Sequence, residues 1–179
     1  MSIYSSISPA NLLGCLSLLA YILTLLPSSL RTGFPTFKKA KFLVNLLKYR
    51  RQLGILAFLV ALGHVVLIVI KRNVDLFDLQ TYSISVEGTA SLIIFALLAF
   101  TSNDWSVKKM KKNWRRLHQL TYTAIFLLFW HIQEKMSGHW NLLTPVELIF
   151  MTIIMALFLK RRWLEYQKES QQQVKKQII

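Results

Sequence analysis

The chain has 179 residues, 54% of them hydrophobic, with a mean hydropathy of +0.41 and a formal net charge of +14. A soluble domain is roughly 45–50% apolar, so the surplus here excludes an ordinary water-soluble globule and demands a lipid solvent. This length leaves no room for a separate catalytic domain, and the positive charge, read against a membrane, points to lipid and topology and not to nucleic acid.

Five apolar runs follow one another: Asn11 to Leu26, Leu53 to Ile70, roughly Ile84 to Phe100, Leu117 to Ile132, and Leu142 to Leu159. Each approaches the roughly 17–25 residues a helix needs to cross a hydrocarbon core of about 30 Å. The runs lack the alternation of a membrane barrel, and open sheet edges go unsatisfied in lipid, so the predicted fold class is all-α integral membrane, a bundle of about five transmembrane helices. The bundle is expected over residues 1–162, with a polar cytoplasmic tail over 163–179.

The first run contains the chain's one cysteine, Cys15, which reads as a small packing residue and has no intrachain disulfide partner. Its leader, Met1 to Pro9, carries no basic residue, and cleavage after the run would leave a basic loop outside, so the run reads as a span and not as a signal peptide. In the loop that follows, Phe37 to Leu47 alternates basic and bulky apolar positions, which suits a helix lying on anionic lipid or a solvated basic loop. The third run holds Glu87, Gly88 and several hydroxyl residues, and a ragged or partly wet outer end is expected of it. Trp105, Trp114, Trp140 and Trp163 fall near run ends and read as interfacial anchors. Nineteen of the 22 basic residues lie in the first loop, the third loop and the tail, against only Lys71, Arg72 and Lys135 on the opposite side. The positive-inside rule then puts the N-terminus outside and the C-terminus in the cytoplasm.

Two of the four histidines lie deep. His64 stands thirteen residues after Arg51 and His131 fifteen after Arg116, which at 1.5 Å per residue puts both roughly 20 Å from the cytoplasmic boundary, on two different helices. Ionisable groups inside a membrane are costly and generally face a bundle interior for a functional reason. The pair suits bis-imidazole ligation of a haem iron, each ring giving one nitrogen to the metal and the other N–H to an acceptor. An interhelical hydrogen bond, or a proton path, is the other chemistry the same residues allow.

His118 follows Arg115 and Arg116 at the cytoplasmic mouth of the fourth run, some 20 Å below His131 and about 140° from it around an ideal helix, so the two are not expected to bind one haem together. Tyr49 and Arg50 occupy the corresponding level of the second run, where no histidine stands. An inner haem with an unusual ligand, a flavin or quinone headgroup, or a plain interfacial role all remain open for His118. His139, beside Trp140, reads as a surface histidine. Lys71 and Arg72, just beyond the helix of His64, are placed to meet haem propionates or to anchor the helix at the interface.

The segments RRQLGILAFLVALGH (Arg50 to His64) and WRRLHQLTYTAIFLLFWH (Trp114 to His131), with the TSNDW turn at Thr101 to Trp105, resemble the haem-carrying helices of the ferric reductase-like transmembrane superfamily. Within it, the pattern is most similar to that of the haem-binding membrane subunits of bacterial periplasmic methionine sulfoxide reductase systems. The resemblance runs from roughly Asn11 to Arg162. It implies a bundle holding haem b in the bacterial inner membrane, with His64, His118 and His131 matching the family's histidines. The donor it implies is a cytoplasmic flavin reductase, and the acceptor an oxidoreductase or small molecule at the outer face; FMN or a quinone is a further candidate cofactor. Arg115 and Arg116, beside His118, are then the expected points of electron input. Relatives commonly have six spans, and eukaryotic ones carry two histidines on each ligand helix, whereas the second run here has one. No dinucleotide fingerprint occurs, so any reductase activity must borrow its electron donor. Outside redox chemistry, the sequence also suits a proton-conducting or transport protein, or an assembly subunit.

Overall fold

Ser8 opens the first helix, its hydroxyl accepting from the Asn11 amide at 3.2 Å, and Pro9 occupies the first helical position, where a missing N–H leaves nothing unsatisfied. The structure, a computed structural model, describes residues 8–71, 79–138 and 143–178. Helix α1 runs Pro9–Gly33, passing through Pro27 and so extending beyond the predicted run. Proline is tolerated inside a membrane helix because neighbours and hydroxyl side chains take up the freed backbone groups. Here Thr24 and Ser28 donate to the Tyr21 and Leu25 carbonyls at 2.7 and 2.9 Å.

A 3₁₀ turn at Pro35–Lys39 leads into α2 (Lys41–Lys48), so the basic stretch is helical and not a solvated loop. Leu43 anchors it, 2% exposed, while Phe42 and Val44 face outward. Helices α3 (Arg50–Lys71) and α4 (Leu79–Phe100) follow. Two short helices, α5 (Asp104–Met110) and α6 (Lys112–His118), carry the second basic stretch and meet at Lys111, whose φ of 49° makes the corner. Helices α7 (Leu120–Gly138) and α8 (Leu143–Ile178) complete the described chain.

The five long helices stand where the five apolar runs predict them. Pro9–Gly33, Arg50–Ile70 and Leu143–Gln173 are each long and apolar enough to cross a membrane, and Val86–Phe100 joins them when counted with α5 across a 93° bend. At 19 residues, α7 reaches about 28 Å, close to the thickness of the hydrocarbon core.

α1 packs on α3, α3 on α4, α4 on α7, α7 on α8, and α8 returns to α1, closing a ring. Its apolar centre is made by Leu18, Tyr21 and Leu25 of α1, Ala57 of α3, Phe95 of α4, Ala124 and Ile125 of α7, and Met151 and Ile154 of α8. On α3 the large residues Leu56, Leu59, Leu62, Val66 and Val69 face outward at helical spacing, whereas Ala57 is buried. That inverted pattern is what a lipid solvent selects: bulk outside, small residues where helices meet.

Candidate functional site

His64 lies seven residues after Ala57, two turns up the same face of α3, so the face that packs small residues inward also carries the imidazole. Its Nδ1 is 2.6 Å from the Ala10 carbonyl oxygen on α1. A carbonyl only accepts, so Nδ1 carries the proton, as when a backbone acceptor orients a ligating histidine. His131 stands seven residues after the fully buried Ala124 on α7 and packs against Gly88 of α4. The ring packing keeps α3 and α7 apart as flanks of α4, with one deep imidazole on each.

At the end of the bundle that carries the basic helices α2, α5 and α6 lies a cavity of about 520 Å³. Tyr21 and Phe95 line its inner end, Arg50, Arg51 and Lys48 one wall, and Trp114, Arg115, His118 and Tyr122 another. Such a volume accepts a cofactor-sized ligand, and its mixture of aromatic faces and guanidinium groups suits a planar ring bearing negative charge. His118 is the one histidine lining it.

The histidine is firmly held there. Thr101 donates its hydroxyl to the Leu97 carbonyl at 2.6 Å and so offers its lone pair to His118 Nε2 at 3.1 Å. Trp114, one turn earlier on α6, stacks on the imidazole at 4.0 Å between centroids and donates its indole N–H to the Thr101 carbonyl at 2.9 Å. Burial and then the nearby Arg50 guanidinium hold His118, in this short interfacial helix, below its ordinary pKa and therefore neutral at pH 7. Trp114 is thus more than the interfacial anchor its position predicted: it clamps the histidine.

The fourth run is also not one helix. The Gln119 amide turns back to the Arg116 and Leu117 carbonyls, closing α6 before α7 begins, so the ideal-helix angle between His118 and His131 does not apply. Arg115 lines the cavity; Arg116 is exposed and does not. Arg72, His139 and Trp140 lie outside the described residues, as does the side chain of Lys71. Gly14 and Gly88, against the two deep histidines, were invisible to sequence reasoning because their partners lie on other helices.

The profile of the family described as "Ferric reductase like transmembrane component" matches residues 13–129, which include the helix of His64, the first half of α7 up to two residues short of His131, and the residues lining the cavity. The chain belongs to this family. Family membership and the apolar helices together make it an integral membrane protein. Among curated proteins it is similar to chains from Brucella ovis, Brucella canis and Brucella suis, each named protein-methionine-sulfoxide reductase heme-binding subunit MsrQ. Identity to each is 35% over 159 residues, covering 84% of this chain and 66% of the relative. The chain therefore spans just under two thirds of their length. No solved structure matches it.

Proposed function

We propose that this ferric reductase-like chain is the b-type haem subunit of a transmembrane electron-transfer system, held in a bacterial inner membrane with its N-terminus outside. In this reading His64 and His131 would together hold one haem near the outer face, each giving a ring nitrogen to its iron. The observation that carries it is the depth-matched pair of imidazoles on two helices, with the His64 ring oriented by its Nδ1 bond to the Ala10 carbonyl. The names of the Brucella relatives support haem as the group bound. A haem ligated by two histidines supplies one-electron transfer and has no open iron position for a substrate.

The residues of the inner cavity then serve as the intake. Arg50, Arg51 and Arg115 attract and orient an anionic group while Trp114 and His118 form a flat, neutral floor, a set that favours a flavin phosphate over an uncharged quinone. A second haem is less well served, because only one histidine lines the cavity and its Nε2 is engaged by Thr101. The donor in this reading is a cytoplasmic flavin reductase, drawn to the basic face, and the acceptor is an oxidoreductase or small molecule outside. Lys71 and Arg72 follow the helix of His64 and are assigned to the haem propionates.

The test is spectroscopic. The protein purified after expression with haem supply should show a low-spin Soret band, and His64→Ala and His131→Ala should each lose most bound haem. Retention of a full low-spin complement in both single variants overturns the ligand assignment. The lack of any Soret band in the unaltered protein would instead leave the histidines to proton conduction.

A further inference from the structure

We infer that Gly14 and Gly88 are a matched pair of positioning residues, each setting the ring of one deep histidine from the neighbouring helix. The inference rests on the haem reading above and extends it to residues that touch neither iron nor substrate.

A Cβ built on Gly14 of α1 would stand 3.1 Å from both Cε1 and Nδ1 of His64, with Nε2 further away at 3.6 Å. On Gly88 of α4 it would stand 3.0 Å from Cε1 and 3.4 Å from Nδ1 of His131, with Nε2 again further, at 3.7 Å. Both contacts involve the same edge of the ring, and in both Nε2 is the ring nitrogen held further from the supporting backbone. Gly33, Gly54 and Gly63 behave differently: Gly33 would meet only Lys160, Gly63 only Leu13, and Gly54 nothing.

The architecture repeats as well. α1 packs on α3 and α4 packs on α7, so in each pair the first helix supplies the glycine and the second the histidine. Close backbone approach is a recognised use of glycine in membrane helices, but here the close neighbour is an imidazole and not another backbone. To make room for an added methyl the His64 ring must shift by a few tenths of an ångström, and that shift reorients a ring also tied to Ala10 at 2.6 Å. A methyl at either position therefore turns a ring and misdirects its Nε2, as loss of an orienting partner does at other metal sites.

The test uses the full chain loaded with haem b. Gly14→Ala and Gly88→Ala should lose haem occupancy, and the haem that remains should show shifted low-spin electron paramagnetic resonance values and an altered midpoint potential. Gly33→Ala and Gly63→Ala serve as controls and should match the unaltered protein, although Gly63 is the direct neighbour of His64. Alanine favours a helix over glycine, so a general packing loss is not what these substitutions bring by themselves. Unchanged resonance values and potential in both variants, with His64→Ala and His131→Ala still losing haem, overturn the inference and leave the haem reading standing. Full low-spin haem in both histidine variants overturns the reading and the inference together.

If Gly14→Ala fails to accumulate, a background without the ring keeps the question open to an answer. His64→Gly should bind added imidazole and regain a low-spin spectrum. His64→Gly with Gly14→Ala should accumulate as well as His64→Gly but need more imidazole, because the methyl occupies the ring's space. Equal rescue in the two backgrounds overturns the inference, as does failure of the double variant to accumulate.

Discussion

His64 and His118 are both half-buried imidazoles, each oriented by a hydrogen bond to a neighbouring helix or turn. His64 gives Nδ1 to the Ala10 carbonyl, while His118 gives Nε2 to Thr101. A ring whose Nε2 already has a partner serves better as a hydrogen-bonded wall than as an iron ligand. The cavity beside it points to the charges that matter for intake. Arg115→Gln should slow haem reduction by a soluble flavin reductase, most clearly at low salt, because charges beyond a Debye length of about 10 Å at 0.1 M are largely screened. Arg116→Gln, off the cavity, should have a smaller effect, and Lys175→Gln in the tail none. Stopped-flow reduction at two ionic strengths checks this, and equal rates for all four proteins would reduce the arginines to a topological role. Trp114→Leu removes a stacked partner worth about 0.5–1.5 kcal/mol beyond its area and should slow reduction through a displaced His118, leaving the outer haem spectrum unchanged.

Among the elements, α5 depends on a local device. Asn103 Oδ1 accepts from the Ser106 amide at 2.7 Å, and its side-chain amide donates to the Phe100 carbonyl at 2.8 Å, so one residue closes α4 and opens α5. Asn103→Ala should destabilise the protein by about 1 kcal/mol, read from thermal unfolding in detergent. The neighbouring Arg51–Asp104 pair, at 2.6 Å but exposed on both sides, should show little coupling in a double-mutant cycle, because solvent screens it. The long helices were legible because lipid imposes length and apolarity on each span separately. The similar depth of His64 and His131 could be reckoned from the sequence, because counting residues from a charged boundary measures depth. Gly14, Gly88, the break at Gln119 and the clamp of Trp114 on His118 were not, since each depends on what a neighbouring helix or turn presents. Extension of α1 past Pro27 also escaped notice, because proline ends helices in water more readily than in a packed membrane bundle.

For the whole molecule, the concentration of 19 of 22 basic residues in the first loop, third loop and tail supports a cytoplasmic C-terminus. A Lys175→Cys probe in a Cys15→Ser background should be labelled in intact cells only by a membrane-permeant maleimide; labelling by an impermeant reagent would invert the topology. Between the inner cavity and the outer histidines lies an apolar layer. Tyr21 is seven residues along α1 from Gly14, and Phe95 is seven along α4 from Gly88, each about 10 Å toward the cytoplasm. Their rings meet at 5.0 Å between centroids, and the Tyr21 hydroxyl donates to the Thr121 carbonyl, so the aromatic contact itself is closed to water. A dry layer across a membrane is where voltage falls. With the cytoplasm negative, an electron moving outward through it runs down the electrical gradient, by up to about 2.3 kcal/mol per 100 mV for a full crossing and proportionally less for part of one. In the proposed reading the membrane potential would drive the outward step, and in proteoliposomes collapsing an imposed potassium diffusion potential should make reduction of the outer haem less favourable.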